Sequence, residues 1–360
     1  MGETGPFSLA DMARLAEAVL PPEVWDYVTG GAGTERTLAA NRAAFDAVGL
    51  LPRVLAGVEK AATGCRLLAT EAALPVAVAP MAYQRMLHPD GEAAAAEAAR
   101  LAGIPYVVST LSSLPLDEIA KIGADTWFQL YWLQDRATVD GLVALAEKAG
   151  CQVLMVTVDV PIMARRLRDL RNSFSLPPDV VAANLADGAG RAHHRVAGES
   201  ALAAHTAAAF VPGLRWADLE WLRARTALPL VVKGILDPRD AVRAVESGMD
   251  GVVVSNHGGR QLDGAAPSID ALPAVAEAVG GRCAVLLDSG VRSGTDVLRA
   301  LARGADGVLV GRPVLHGLAV DGSRGAGQVL SLLATELQEA MTLAGCADID
   351  AARTVSTVRM

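Results

Sequence analysis

In the stretch Ser255-Asn-His-Gly-Gly-Arg-Gln-Leu-Asp263 a base, His257, and a permanent cation, Arg260, are displayed close together beside a pair of glycines. An unperturbed imidazole has a pKa of about 6.5, so near neutral pH it is largely uncharged and able to accept a proton. A guanidinium binds a carboxylate through paired, charge-assisted hydrogen bonds. Arg166, in Ala164-Arg-Arg-Leu167, is a second candidate for such a clamp, and Asp159 is placed to stabilise the imidazolium formed when His257 takes a proton. Gly258 and Gly259 permit a tight turn and a close backbone approach to a ligand. These residue types point to proton removal from a small molecule held by its carboxylate. An isolated His-Gly-Gly-Arg also fits an ordinary solvated loop, and only matching chemistry at other strand ends decides against that.

The elements that must position these groups are visible as a rhythm. Residues 251–254 are small or β-branched with no polar face, as in a strand buried in a parallel sheet. Similar apolar runs occupy 76–80, 105–109, 126–131, 153–159, 228–233, 284–288 and 307–311. Between most of them lie Ala-rich amphipathic segments at 91–102, 138–148, 238–246, 268–279 and 294–303. Eight strands, each followed by a helix, predict an α/β fold of the (β/α)8 TIM-barrel type, with an open doubly wound sheet as the structural alternative. The length of 360 residues suits one barrel of about 250 residues plus additions. We therefore expect a single domain over 1–360, with an N-terminal helical extension at 1–73, a barrel at 74–345 and a flap insertion at 171–225.

In the extension, residues 8–20 read as helical, with Leu9, Met12, Leu15 and Val19 at helical spacing until Pro21-Pro22 stops the pattern. A second helical turn at 24–31 carries Tyr27. The insertion contains Pro177-Pro178, Gly188, Gly190 and His193-His194, and its length suggests a mobile flap over the barrel mouth. His193, His194 and His205 have no carboxylate or Cys at ligand spacing, so no metal site is expected.

Barrels place their chemistry at the C-terminal ends of the strands and commonly hold phosphate with the loops after the seventh and eighth. Here Ser289-Gly290 and Gly311 leave backbone N–H groups uncovered, helix starts follow, and Arg292 and Arg312 add charge, which predicts a phosphate site. Ser109, Gln129 and Thr157 are neutral donors and acceptors suited to the edge of a flat heteroaromatic ring. Lys233 would bring a cation into the mouth, which is costly unless an anion matches it. A reduced flavin would supply that anion, and so would a neighbouring carboxylate.

Composition narrows the partners. A net charge of −8 argues against nucleic acid, and 52% hydrophobic residues with only 4% aromatic imply a core of Ala, Val and Leu. Cys65, Cys151, Cys283 and Cys346 are far apart, which suggests buried thiols in a reducing compartment rather than a zinc site or disulfides. Residues 1–10 carry Glu3 and no apolar run, and no stretch approaches the ~20 apolar residues of a membrane span, so a soluble cytoplasmic protein is expected.

At this point the residues resemble the FMN-dependent α-hydroxy-acid oxidase and dehydrogenase family, which includes glycolate oxidase, lactate oxidase and mandelate dehydrogenase. The likeness is carried by Ser255 through Asp263, Phe128-Gln-Leu-Tyr131, Thr157-Val-Asp159, Val232-Lys-Gly-Ile235, Asp288-Ser-Gly-Val-Arg292 and Gly311-Arg-Pro313. It implies FMN as cofactor, His257 as the active-site base supported by Asp159, and Tyr27, Tyr131, Arg166 and Arg260 orienting a 2-hydroxy acid, with Tyr131 also counted among the catalytic residues. It implies that Ala79, Pro80, Met81, Ser109, Gln129, Thr157, Lys233, Ser255, Asp288, Ser289, Gly290, Val291, Arg292, Gly311 and Arg312 bind FMN, and that the protein is a homotetramer. Leu111 stands where glycolate oxidases have a Trp, leaving room for a larger substrate side chain. With the Pro80-Met-Ala-Tyr-Gln84 run, this makes the chain resemble the hydroxymandelate-oxidising branch, found in aryl-glycine antibiotic pathways. The flap lacks the apolar stretch that anchors mandelate dehydrogenases to membranes. An aliphatic 2-hydroxy acid as substrate, another FMN barrel such as an isomerase, and a non-catalytic barrel remain as alternatives.

Overall fold

A computed structural model describes residues 5–185 and 210–360. The extension opens with helices α1 (Leu9–Val19), α2 (Pro22–Thr29) and α3 (Arg36–Asp46), followed by strand β1 (Val48–Leu51) and a hairpin of β2 (Cys65–Leu67) and β3 (Thr70–Ala72). The barrel strands are β4 (Val76–Val78), β5 (Tyr106–Ser109), β6 (Thr126–Leu130), β7 (Val153–Thr157), β8 (Leu230–Ile235), β9 (Gly251–Val254), β10 (Ala284–Leu287) and β11 (Gly307–Val310). Each pairs in parallel with the next, and β11 closes onto β4 through Val308 opposite Val76 and Val310 opposite Val78. That closure removes the open-sheet alternative, and all eight expected strands are present.

Helices return the chain between strands, and side-chain caps fix several of their starts. Asp135 accepts from the N–H groups of Ala137 and Thr138, Asp237 from Arg239, and Ser293 from Asp296, each satisfying donors that the first helical turn leaves free. After β11 the helix Arg312–Leu343 runs on, broken at Asp321 and Gly322. Among the described residues, no helix is long and apolar enough to cross a membrane.

Two expectations need correction. The extension is not purely helical, because β1 pairs with the C-terminal strand β12 (Ser356–Arg359), too far along the chain for any local pattern to announce. The hairpin was equally hidden, since its strands are only three residues each. It plugs the N-terminal end of the barrel, where Leu67 and Ala72 pack into the interior and Trp127 Nε1 donates to Thr70 Oγ1 at 2.9 Å. The thiols are all free, but only Cys151 and Cys346 are buried, while Cys65 and Cys283 are half-buried.

The insertion is described only at its flanks. Phe174, Leu176, Val180, Ala182 and Leu185 on one side and Phe210 on the other are buried in the main core, so these flanks are packed structure. The expectation of a flap at 171–225 otherwise concerns residues 186–209, including His193, His194 and His205, which lie outside the described residues.

Candidate active site

Side chains alternate along a strand, so a residue two positions beyond an interior one also points inward. The barrel interior is filled by Ala77, Val107, Trp127, Met155, Val231, Val253, Leu286 and Leu309, joined by Val153. Two residues on from the first eight stand Ala79, Ser109, Gln129, Thr157, Lys233, Ser255, Asp288 and Gly311. The apolar layer thus gives way, on every strand, to a layer of sequence-predicted site residues. Above it opens a cavity. Tyr27, Met81, Leu111, Tyr131, Arg166, Phe210, Lys233, His257, Arg260, Arg292 and Arg312 are among the residues that line it.

His257 projects from a turn held at φ 58, and its Nδ1 lies 3.0 Å from Asp159 Oδ1. Asp159 follows β7 and His257 follows β9, so the intervening β8 must leave space. It does so at Gly234, where a Cβ would lie 2.6 Å from both Cβ and Cγ of Asp159. The β8–β9 register also shifts between Lys233 and Ile235, so the strand bulges at this glycine. Gln261 secures the far side of the pair, its Nε2 donating to the carbonyls of Asp159 and Ile162, both at 2.9 Å.

The glycines after His257 serve a purpose other than the expected one. A Cβ on Gly258 would come within 2.7 Å of an Arg312 terminal nitrogen, and one on Gly259 within 2.7 Å of the Leu38 backbone in α3. Their close approach is to the protein itself, because the loop is pressed between β11 and the extension. Further links fasten the two parts: the N–H of Ala32 donates to Gly259 O at 2.8 Å, Asn41 and Asn256 exchange amide hydrogen bonds, and Asp263 accepts from the N–H groups of Thr34 and Thr37.

Four arginines converge on the cavity, and among the described residues no carboxylate is hydrogen-bonded to any of their guanidiniums. Arg260 donates to the carbonyls of Tyr27 and Gly30, while Arg312 donates to those of Val28, Gly30 and Gly258. The Arg292 guanidinium donates to its neighbour's carbonyl, Val291 O, while its backbone N–H donates to Asp296 Oδ2. Arg166 has a buried Nε with no hydrogen-bond partner among the described residues. Burial, and then the charge of Arg166, lower the pKa of Arg260 to about 10; burial and then Arg42 lower that of Arg292 to about 10. Burial followed by the other arginines also lowers the pKa of Arg312. Such a group of cations in an acidic protein is stable only with anions to match. Asp169, buried nearby, compensates in part: its charge raises Arg260 slightly, and its own pKa is raised by burial.

Tyr27 packs within the arginine pair, with the Arg166 and Arg260 guanidinium carbons 5.9 and 5.1 Å from its ring centre and Phe174 stacked on it at 4.4 Å. Tyr131 stacks on Phe210 at 4.5 Å, and burial, then Asp159, keeps its hydroxyl protonated by raising its pKa.

Lys233 is not an unmatched cation. Its Nζ lies 2.7 Å from Asp288 Oδ2 and 3.0 Å from Ser255 Oγ. Burial opposes its charge, but Asp288 and Asp159 outweigh that and raise the pKa. The ion pair foreseen as the alternative is therefore present. Other predicted ring-edge groups also satisfy one another: Ser109 Oγ donates to Gln129 Oε1 at 3.2 Å, and Gln129 Nε2 to Thr157 Oγ1 at 3.0 Å. Ser289 Oγ donates to Asp288 Oδ1 and accepts from the N–H of Gly258. The structure thus brings every sequence-predicted site residue to one end of the barrel. Gly234, Gln261 and Asp169 were missed, and only Gly234 had a signal, its place beside Lys233 in a strand that should have no glycine.

A family model described as FMN-dependent dehydrogenase matches residues 16–358. The chain belongs to that family. Among its relatives, 4-hydroxymandelate oxidase of Amycolatopsis orientalis is 54% identical over 350 residues, covering 97% of this chain and 98% of that one. L-lactate oxidase of a Nostoc species is 47% identical, covering 96% of each chain. A solved structure of mandelate oxidase with (S)-4-hydroxymandelic acid superposes with a TM-score of 0.96 at 53% identity, covering 98% of this chain and 99% of that one.

The cofactor of an FMN-dependent family must fit the residues present, and it does. FMN has a dianionic phosphate and a flat ring, and Arg292 and Arg312 are half-buried guanidiniums with no carboxylate hydrogen-bonded to them among the described residues. Their positions after β10 and β11 are those at which barrels bind phosphate. The linked Ser109, Gln129 and Thr157 side chains present a rigid polar edge across three neighbouring strands.

Proposed function

We propose that this protein oxidises an aryl 2-hydroxy acid, of mandelate or 4-hydroxymandelate type, to the 2-keto acid, passing the electrons to oxygen to form hydrogen peroxide. The observation that carries this reading is the His257–Asp159 pair at 3.0 Å beside an arginine whose buried Nε lacks a partner, Arg166. FMN, when bound, supplies the acceptor for the two electrons leaving the substrate carbon.

The chain's own residues divide the remaining work. Arg166 and Arg260 hold the substrate carboxylate, and their shortage of counter-charge favours an anion there. Tyr27 and Tyr131 orient the substrate, the second as a phenol that remains protonated. His257 Nδ1 donates to Asp159, which leaves Nε2 free to take a proton and stabilises the charge that results. Ala79, Pro80, Met81, Ser109, Gln129, Thr157, Lys233 and Ser255 would line the bound flavin, and Asp288 through Arg292, Gly311 and Arg312 would hold its ribityl phosphate end.

The aryl preference rests on the cavity wall. Met81, Met86, Leu87, Leu111, Met163 and Phe210 all line it, an apolar surface suited to a ring. The likeness to 4-hydroxymandelate oxidase supports the same reading. We assign a homotetramer by family resemblance, to be tested by light scattering. The four free thiols favour the cytoplasm.

Anaerobic mixing of the FMN-loaded protein with (S)-4-hydroxymandelate, (S)-mandelate, L-lactate and glycolate tests the assignment. Rapid bleaching of the flavin by the two aryl acids, then peroxide formation on adding oxygen, is expected. Reduction by lactate alone would transfer the assignment to aliphatic acids, and no reduction by any of them would remove it.

A further inference from the structure

His257 and Ser289 both sit in the left-handed backbone region, at φ 58 and φ 73, though neither is a glycine. Side chains are strained there, and such residues persist at sites that make use of them. His257 has its use as the base. For Ser289 the resemblance implies only a cofactor contact, which a backbone N–H would supply from an unstrained glycine as well.

The side chain of Ser289 goes to the loop that carries His257. Its Oγ accepts from the N–H of Gly258 at 2.8 Å and from the N–H of Asn256 at 3.3 Å, the residues on either side of the base. The N–H of His257 itself donates to Ser255 Oγ at 3.0 Å. Three successive backbone donors thus end on two serine hydroxyls. Both hydroxyls are held in turn by the Lys233–Asp288 ion pair: Ser289 Oγ donates to Asp288 Oδ1 at 2.7 Å, and Lys233 Nζ donates to Ser255 Oγ at 3.0 Å. Lys233, Ser255, Asn256, Asp288 and Ser289 are all buried, and polar groups buried in this way are costly to leave unpaired.

Ser289 is anchored independently of the loop it holds. Ser268 Oγ hydrogen-bonds the carbonyls of Asp288 and Ser289, and Gly290 is pressed against α3, where a Cβ would lie 2.9 Å from the Phe45 ring. The hydroxyl is therefore a fixed point against which the loop is set. An imidazole has only two side-chain torsions, so the place of its ring beside Asp159 follows from where this backbone is held. We propose that Ser289 is a positioning residue, whose hydroxyl fastens the His257 loop to the Lys233–Asp288 pair and so sets the imidazole for proton removal. This rests on His257 acting as the base in the reading above.

The test uses Ser289→Gly, which relieves the backbone while deleting the hydroxyl, beside Ser289→Ala, which keeps the Cβ. FMN-loaded wild type and variants are mixed anaerobically with (S)-mandelate or L-lactate, whichever wild type oxidises. Varying the substrate concentration separates the limiting rate of flavin bleaching from the substrate Kd, and FMN content is measured per chain. Both variants should lose roughly 10- to 100-fold in limiting rate, as expected of a reacting group misplaced by about an ångström. Arg260, three residues on, is held separately by the carbonyls of Tyr27 and Gly30, so the substrate Kd and the FMN content should stay close to wild type. An unchanged limiting rate in either variant overturns the proposal, since the hydroxyl is missing from both. A rise in substrate Kd as large as the fall in rate overturns it too. Loss of FMN, or failure of Ser289→Gly to fold, would make the serine a cofactor or stability residue and reject it equally. Wild type that bleaches with neither acid would instead defeat the oxidation reading, before Ser289 is at issue.

Discussion

His257 and Asp159 meet across an intervening strand: Nδ1 and Oδ1 are 3.0 Å apart, while the residues come from loops after β9 and β7. The contact sets the tautomer of the imidazole, because a proton shared with the carboxylate leaves Nε2 as the acceptor. Neither residue makes the arrangement alone, since β8 must be thin where Asp159 crosses it.

If His257 is the base, His257→Gln should reduce the rate of anaerobic flavin bleaching by roughly 10²–10⁴-fold while FMN remains bound. Asp159→Asn should fall less far. Stopped-flow traces on both variants read this directly, and an unchanged rate in His257→Gln would take the imidazole out of the mechanism.

Gly234→Ala should act as a second route to the same defect. The added Cβ would collide with Asp159 at 2.6 Å, so the carboxylate must move away from His257. We expect a loss resembling that of Asp159→Asn, and little further loss when the two changes are combined. Full additivity of the two would mean that the glycine acts elsewhere.

Arg166→Lys preserves charge but removes the planar fork and the Nε now lacking a partner. Carboxylate recognition should weaken, with kcat/KM falling roughly 10- to 100-fold and FMN content unchanged. Flavin-bound protein titrated with a non-reactive aryl carboxylate gives the affinity change separately from the rate. Equal affinities would reassign the clamp to Arg260 alone.

His316, 5% exposed after β11, has its pKa lowered to about 3, first by burial and then by Arg292 and Arg312. A histidine whose folded pKa lies below its unfolded value of about 6.5 favours folding above that pH. Its contribution drains away as pH falls from there towards the folded value. Between pH 7 and pH 5 the expected loss is about 2 kcal/mol. Denaturant midpoints at the two pH values should show this for wild type, and His316→Gln should remove that part of the difference.

The barrel and its chemistry were readable because both repeat. Each strand carries an apolar run, six of the eight have a polar residue two places beyond an interior one, and both features are local. What stayed hidden depends on pairs distant in sequence. Strand β1 needs β12, the hairpin needs Trp127, and the glycines after His257 need Arg312 and Leu38. The Lys233–Asp288 ion pair could be named only as a possibility, since it spans β9 from β8 to the end of β10 and the sequence does not show which charged residues meet inside the barrel. Gly234 was quoted for its likeness to relatives, yet its purpose became clear only when Asp159 was seen against it.

The carbonyls of Tyr27, Val28 and Gly30 grip Arg260 and Arg312 across more than 200 positions of chain, with sequence separations from 230 to 284. During synthesis the anion-binding end therefore cannot exist until the last barrel strand has left the ribosome and returned to the first helices. Growing chains stopped short of Arg312 should emerge colourless even where most strands have formed. Cofactor capture in this protein is thus a closing event, a seal placed on a fold already assembled.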